Sequence, residues 1–231
     1  MTAKYTNEDD APSLQLVREL QAELAHCLNS IGGKEYETIG KFIGYSAAHM
    51  NIAVEGYVFV RESGRLDCSK LLVRPMIEIM FRLNAVKSNP GLIYRIAYTE
   101  NLDRDKWLRA AVMQQGKKYE PDTAGWERFK KYCETQFSGS DVRDDKISLY
   151  SVAEAVDLEG YYDSHYRLYC KFTHAALEAV MGDLNPLSDA EDNRTVALCV
   201  FVVIEALVTI GAESPNLAAF RERLDKLSKG D

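Results

Sequence analysis

The chain has 231 residues, of which 46% are hydrophobic and 27% are charged, a composition typical of globular proteins. This length suits one large domain or two small ones. The formal net charge of −7 argues against a general nucleic-acid coat protein, although it leaves room for a local basic patch.

Cysteine usage and hydropathy indicate a cytoplasmic protein that does not enter a membrane. The five cysteines are widely spaced and contain no C-x-x-C pair, which argues against a disulfide framework or a zinc ribbon. We therefore expect each cysteine to be a small buried apolar residue. The longest apolar stretch, residues 196–210, is too short to cross a bilayer and predicts a helix of the core instead.

Helical periodicity and capping patterns account for the first half of the chain. Residues 1–12 predict a flexible polar tail, and residues 13–231 predict a single helical domain. Ser13 is the expected cap of the first helix, and Pro75 is expected near the first turns of the third. The helices predicted for this half cover residues 13–31, 35–62, 67 or 69 to 89, and 92–115.

The second half of the chain contains a polar loop, predicted at residues 138–150, between further helices. These helices are expected at residues 122–137, from 151 onward, at 161–181, at 188–211 and from 214 onward. Their expected caps are Asp122, a Ser151–Glu154 capping box, a Ser188–Glu191 capping box, and Ser214 followed by Pro215. The sequence therefore predicts an all-α fold, a bundle of about eight or nine long antiparallel helices.

The fingerprints of common enzymes are missing from the sequence, which has no Walker loop, G-x-G-x-x-G, H-E-x-x-H, G-x-S-x-G or EF-hand loop. A Glu-x-x-His motif at Glu23 and His26 could belong to a di-metal helical bundle, which needs a second such motif and further carboxylates. No other histidine of the chain has a glutamate three residues before it. We therefore predict no metal site and no cofactor.

Three glutamates, Glu55, Glu78 and Glu205, interrupt apolar helical stretches, and a buried carboxylate needs a partner. Arg74 and Arg82 lie four residues before and after Glu78, on the same helical face. This set is either a structural ion-pair ladder or a charged strip lining a pocket. Glu205 has no charged residue within one helical turn, so its partner must come from another helix.

Arg167 and His174 are seven residues apart, so both project from one face of the predicted helix at 161–181. Arginine keeps its charge, whereas histidine titrates near neutrality. Such a pair suits phosphodiester chemistry, because arginine can stabilise developing charge on the phosphate while histidine transfers a proton. The alternative is an ordinary helix in which His174 forms a structural hydrogen bond inside the bundle.

Two stretches of the chain resemble known proteins: R-P-M-I-E-I-M-F-R-L at 74–83 and Y-R-L-Y-C-K-F-T-H-A-A-L at 166–177. They resemble a large family of uncharacterised bacterial all-helical proteins that pairs an Arg-x-x-x-Glu helix with a later Tyr…His segment. More distantly, the segment from Arg167 to His174 is similar to the Arg-x4–6-His signature of HEPN helical domains. That resemblance implies a ribonuclease of toxin or phage-defence type, catalytic roles for these two residues, and a dimer with the motif at its cleft. The chain departs from the HEPN pattern at Leu168, where those nucleases usually carry a polar residue.

Residues 104–131 interleave basic and aromatic side chains. Such a pattern suits phosphate contact and base stacking, although a solvated helical face with two aromatic anchors explains it equally well. The candidate nucleic-acid contacts are Trp107, Lys117, Lys118, Trp126, Lys130 and Lys131.

The leading functional hypothesis is a HEPN-like RNA-binding protein or metal-independent ribonuclease. Its candidate partners are RNA, another protein and a second copy of the chain. The alternative is a non-catalytic helical protein-interaction module, in which Arg167 and His174 are structural. A di-metal helical-bundle enzyme is the third hypothesis.

Overall fold

The structure is a computed structural model that describes residues 11–137, 141–173 and 188–229. Over these residues it consists of helices and connecting loops, without a strand. The helices are α1 (Ala11–Ile31), α2 (Thr38–Glu62), α3 (Leu66–Ser88), α4 (Leu92–Gln114), α5 (Thr123–Gln136), α6 (Leu149–Glu154), α7 (Glu159–Tyr161), α8 (Arg167–Thr173), α9 (Asp189–Thr209) and α10 (Leu217–Lys229). A π-helical turn (Tyr162–Tyr166) joins α7 to α8 as one rod. The predicted all-α bundle is confirmed.

Helix α9 lies at the centre of the bundle and packs against α1, α2 and α3. Its sequence is apolar on nearly every side, which is the pattern of a helix surrounded by other helices. Val196, Val200 and Ile204 are completely buried. Within the described ranges, no helix has both the length and the apolar character that a membrane crossing requires.

The predicted helix boundaries are right where a side chain closes the first turn locally. Asp122 caps α5 by accepting a hydrogen bond from the Gly125 amide at 2.8 Å. Ser188 and Glu191 form the capping box expected at the start of α9. In both cases the capping partners are three residues apart, so the sequence alone defines the motif.

Three predicted caps, those at Ser13, Ser151 and Ser214, are wrong. Ser13 lies inside α1 and is buried, where its hydroxyl accepts a hydrogen bond from Asn193 Nδ2 at 3.0 Å. Ser148, rather than Ser151, caps α6. Ser214 precedes the start of α10 and donates its hydroxyl proton to Glu23 Oε1 at 2.6 Å.

Other expectations are corrected by burial and position. Pro75 lies in the interior of α3, well past its first turn. Cys68 is exposed, contrary to the expectation that every cysteine is buried, whereas Cys27, Cys133 and Cys199 are buried. The polar loop is shorter than predicted, because residues 149–150 already belong to α6.

Candidate functional site

A row of charged side chains runs along one face of α3. Lys70, Arg74, Glu78 and Arg82 follow each other at four-residue intervals, so they lie on the same side of the helix. Lys70 is buried, whereas the side chain of Arg82 is 31% exposed, so the row leads from the core to the surface.

The structure brings the predicted set Arg74, Glu78 and Arg82 together within this row. Arg74 Nε lies 3.0 Å from Glu78 Oε1, and Arg82 Nη2 lies 3.9 Å from Glu78 Oε2. Arg82 is also paired with Glu100 of α4. Glu78 therefore lies between two guanidinium groups, and Arg82 connects the row to a neighbouring helix.

Tyr166, the last residue of the π-helical turn, contacts the middle of the α3 row. Its hydroxyl donates to Glu78 Oε1 at 2.9 Å and accepts from Arg74 Nε at 3.3 Å. The Arg74 guanidinium also lies over the Tyr166 ring, 5.6 Å from its centroid. The two stretches that carry the family resemblance thus pack against each other.

At the buried end of the row, Lys70 meets the start of α9. Its ammonium donates to Asp192 Oδ2 at 2.8 Å, and the Tyr169 hydroxyl donates to Asp192 Oδ1 at 2.5 Å. Asp192 is completely buried. Burial raises the pKa of this carboxyl group, while the Lys70 ammonium and the Tyr169 hydroxyl act in the opposite direction.

The next residue, Asn193, extends this buried polar network to α1 and α2. Its side-chain oxygen accepts from the Tyr57 hydroxyl at 2.8 Å, and its side-chain nitrogen donates to Ser13. One helical turn beyond Tyr57, Arg61 pairs with Asp189 at 2.6 Å. Sequence reasoning missed this network, because most of its partners are more than a hundred residues apart in the chain.

A cavity of about 310 Å³ lies between the π-helical turn, α9 and α10. Its walls combine a histidine, an arginine, two carboxylates and several apolar side chains. The residues are Tyr161, His165, Glu191, Arg194, Thr195, Leu198, Leu224, Asp225 and Leu227. It places an imidazole and a guanidinium in one solvent-reachable space.

Neighbouring groups fix the orientation of His165. Its ring stacks on Tyr161 with centroids 4.1 Å apart, and its Nδ1 lies 2.8 Å from Ser164 Oγ. The single hydroxyl proton of Ser164 goes to the Gly160 carbonyl at 2.8 Å. When Ser164 donates to Gly160, its oxygen can accept from Nδ1–H, and in that tautomer Nε2 of His165 carries the lone pair that takes up a proton.

Burial lowers the pKa of His165, although the carboxylates of Glu191 and Asp192 oppose the shift. The imidazole is accordingly neutral at neutral pH, the form that accepts a proton. His165 was visible in the sequence only as one polar residue of a helical segment. The cavity that distinguishes it depends on the packing of α9 and α10 against the π-helical turn.

Arg167, the first member of the predicted catalytic pair, is not among the residues that line the cavity beside His165. Its side chain is 65% exposed, and its Nε lies 3.1 Å from Asp163 Oδ1. The guanidinium lies over the Tyr162 ring, 5.7 Å from the centroid. His174 lies outside the described residues, so the pairing of Arg167 with His174 stays a prediction.

The candidate nucleic-acid contacts fall into two groups. Trp107, Lys117, Lys118 and Lys131 are exposed. Trp126 is half-buried in an aromatic cluster of α4 and α5 that also contains Tyr94, Tyr98 and Phe129. Lys130 is engaged with Asp144 at 2.5 Å.

A second cavity, of about 370 Å³, opens beside Trp126. Three carboxylates, those of Asp105, Glu127 and Asp144, line it together with Lys130. This excess of negative charge disfavours a phosphate group there. The exposed group around Trp107 is consequently the better candidate for contact with nucleic acid.

Two further glutamates have partners from distant parts of the chain. Glu205 pairs with Arg221 of α10, as its isolation in the sequence required. The carboxylate of Glu23 accepts hydrogen bonds from Ser214 and Asn216 rather than serving beside His26. No group of three or more potential metal ligands occurs among the described residues.

Comparison with protein families assigns the chain. The model of DUF5677, a family of unknown function, matches residues 43–193. The chain belongs to DUF5677. A search of the curated proteins and a search of the solved structures found no match to this chain. The DUF5677 region runs from α2 to the first turn of α9, and so includes the α3 row, Tyr166, His165 and the buried Asp192 and Asn193.

Proposed function

We propose that this DUF5677 protein is a HEPN-like RNA-binding protein that cleaves RNA without a metal ion, in the cavity beside His165. The observation that supports this proposal is a neutral, oriented imidazole sharing one cavity with the Arg194 guanidinium. An imidazole can transfer a proton and a guanidinium can offset charge on a phosphate, two roles that phosphodiester transfer uses.

In the proposed reaction, His165 Nε2 takes the proton of a ribose 2′-hydroxyl. The 2′-oxygen then forms a bond to the adjacent phosphorus, and the bond from phosphorus to the 5′-oxygen breaks. The imidazolium returns a proton to the departing 5′-oxygen, and Arg194 offsets the negative charge that develops on the phosphate.

Arg167 and His174 are a second proposed assignment of the same two roles. The exposed guanidinium of Arg167 is within reach of solvent-borne phosphate, and its ion pair with Asp163 is exposed enough to exchange partners. In either assignment, exposed Trp107, Lys117, Lys118 and Lys131 are the proposed contacts to RNA outside the catalytic cavity.

The test is cleavage of a labelled single-stranded RNA by purified protein in excess EDTA. His165→Asn and Arg194→Ala should each reduce kcat by about 10²–10⁴-fold, because removal of a general base or of a charge-stabilising group has effects of this size. Lys117→Ala with Lys118→Ala should raise KM and leave kcat nearly unchanged. His26→Asn, at an exposed imidazole on α1, is the matched control.

The pH profile gives an independent readout. Because burial lowers the pKa of His165, the acid limb of kcat/KM should lie below the ordinary histidine value of 6.5. Circular dichroism of each variant verifies that it is folded. Loss of turnover in His174→Asn and Arg167→Ala, with His165→Asn unaffected, would move the site to the second assignment. Absence of RNA cleavage by the wild-type protein would contradict the proposed function.

A second candidate function is a non-catalytic protein-interaction module. It is favoured by three large apolar side chains, Tyr45, Ile52 and Phe59, which α2 exposes to solvent. Large apolar side chains exposed along one face of a helix favour association with another protein. If the RNA assay shows no turnover, binding of a protein partner becomes the leading candidate function.

A further inference from the structure

The outer face of α2 carries a stripe of exposed apolar side chains. Tyr45, Ile52 and Phe59 are 71%, 68% and 71% exposed, and they follow each other at intervals of seven residues. This spacing places them on one line along the helix, as in the seam of a coiled coil. The opposite face of α2, which includes Met50 and Val54, is buried in the bundle. The stripe therefore points away from the core.

The sequence of α2 is self-complementary about Ile52. Tyr45 lies seven residues before Ile52 and Phe59 lies seven after it, so the two ends are aromatic. Ala48 and Gly56, four residues to each side, are both small. His49 and Glu55, three residues to each side, are an exposed imidazole and an exposed carboxylate.

We propose that a second copy of this chain docks on α2 in antiparallel orientation, with the two-fold axis at Ile52. This symmetry puts Ile52 level with Ile52 of the second copy and Tyr45 level with Phe59. It also puts His49 level with Glu55, while Ala48 meets Gly56 and allows the helices to approach closely. An isologous interface needs such self-complementarity, because each residue meets the symmetry mate of another.

An open groove beside Phe59 supplies the space that this arrangement requires. It has a volume of about 480 Å³ and lies between Gln21 of α1 and the stripe. Ile52, Gly56 and Phe59 are among the residues that line it. In the antiparallel pair, the Tyr45 ring of the second copy arrives at the level of Phe59, where this groove can receive it.

Charge selects this occupant and this orientation. Glu55 is exposed in the middle of an apolar stripe, and an uncharged apolar partner would leave its carboxylate desolvated without a partner. In a parallel dimer, Glu55 would meet Glu55, and like charges would repel. Only the antiparallel copy brings His49 to each Glu55. The surface contains neither Arg167 nor His165, so it differs from the motif-centred dimer that the HEPN resemblance implies.

Sedimentation velocity over a range of concentrations tests the association. The wild-type protein should reversibly form a dimer, and Ile52→Glu should weaken the dimer at least about tenfold, because two carboxylates would meet at the two-fold axis. Trp107→Glu is the matched control, because Trp107 is similarly exposed on α4, away from the stripe. A wild-type protein that stays monomeric, or a dimer that Ile52→Glu leaves intact, would overturn the proposal.

Charge exchange tests the pairing of His49 with Glu55. His49→Glu alone places two carboxylates at the same level and should weaken the dimer. The double variant His49→Glu/Glu55→Lys restores opposite charges and should recover the association. Failure of the double variant to exceed the single variant in affinity would contradict this pairing.

Disulfide cross-linking tests the register, in a background where the exposed Cys68 is replaced by serine. Ile52→Cys should form a cross-linked dimer under mild oxidation, because the two residues meet at the axis. Tyr45→Cys alone should not, because fourteen residues of helix, roughly 21 Å, would separate the two thiols. Adding Phe59→Cys to Tyr45→Cys should restore cross-linking. Cross-linking of the Tyr45→Cys single variant, or its absence in the Ile52→Cys variant, would refute the antiparallel register.

Discussion

Two oppositely charged side chains, those of Lys70 and Asp192, meet in the buried interior of the bundle. Moving a charge out of water is unfavourable unless a partner and further hydrogen bonds replace the lost solvent. Asp192 has both, since Lys70 and Tyr169 each donate to one of its oxygens. Such a pair depends on the presence of both members, because each offsets part of the other's cost of leaving water.

Asp192→Ala should therefore lower the free energy of unfolding by about 3–5 kcal/mol, because it removes the buried carboxylate that accepts from both the Lys70 ammonium and the Tyr169 hydroxyl. Urea denaturation followed by circular dichroism measures the change. Glu222→Ala, in the exposed Glu222–Lys226 pair of α10, removes a carboxylate without stranding a buried charge and should have almost no effect. Equal effects of the two substitutions would refute a special role for the buried pair.

The α3 row shows which residue contacts a sequence can disclose. Arg74, Glu78 and Arg82 are one helical turn apart, so their association follows from helical spacing alone. Lys70 continues the same spacing, but its partner Asp192 is 122 residues away in the chain. Only the folded arrangement of α3 and α9 brings these two residues together. In the same way, only the packing of the π-helical turn against α9 brings His165 close to Arg194.

At the scale of helices, the π-helical turn at Tyr162–Tyr166 is the feature that shapes the cavity. Tyr161 stacks on His165 with centroids 4.1 Å apart, and Tyr162 stacks on Tyr166 at 4.8 Å. One pair faces the cavity and the other contacts the α3 row. Helical periodicity predicted an uninterrupted helix here, since the period of apolar residues does not distinguish a single wide turn from an α-helical one.

Glu23 joins α1 to the segment that leads into α10. Burial acts to raise the pKa of this carboxyl group, but hydrogen bonds from Ser214 and Asn216 outweigh burial and hold the pKa below its ordinary value. A carboxylate whose pKa is lowered by folding stabilises the protein above the ordinary carboxyl pKa. That contribution is lost as the pH falls through the lowered value.

Glu23→Ala should lower the free energy of unfolding by about 1–3 kcal/mol at neutral pH, because Ser214 and Asn216 lose their acceptor. Amide hydrogen exchange in α10 should become faster. The difference from the wild-type protein should shrink as the pH falls below about 4.5, because the Glu23 carboxylate of the unfolded chain then takes up a proton, and it should vanish once the pH lies below the lowered pKa of the folded protein. Asn29→Ala, at an exposed position of the same helix, is the control. An unchanged exchange rate in α10 would show that Glu23 does not hold this helix.

At the scale of the whole molecule, burial is concentrated in α1, α2, α3 and α9. The buried polar network reinforces this concentration, because Asp192 and Asn193 bind side chains from α1, α2, α3 and α8. Helices α4 and α5 have fewer buried residues than these four helices. The buried residues of α4 lie between Leu92 and Asn101, and its last residues are largely exposed. In α5, Cys133 is the buried residue.

Both tryptophans of the chain, Trp107 and Trp126, lie on α4 and α5. Their fluorescence therefore reports on these two helices, whereas circular dichroism at 222 nm reports on helix throughout the protein. Because few buried contacts hold the outer part of α4 and α5, we expect local opening to require less free energy than global unfolding. In urea, the fluorescence midpoint should precede the circular dichroism midpoint by roughly 0.5–1 M, the shift expected for a difference of about 1–2 kcal/mol.

Trp107→Phe separates the two reporters, since the remaining Trp126 lies in the aromatic cluster that joins α5 to the buried start of α4. If the opening is local, this variant should still show an early fluorescence transition, and trypsin should cut first at Lys117 or Lys118, between the two helices. Asp192→Ala should shift the circular dichroism midpoint more than the fluorescence midpoint, because Asp192 stabilises the core. Coincident midpoints in the wild-type protein and in Asp192→Ala would instead mean that α4 and α5 unfold with the core, as one cooperative unit.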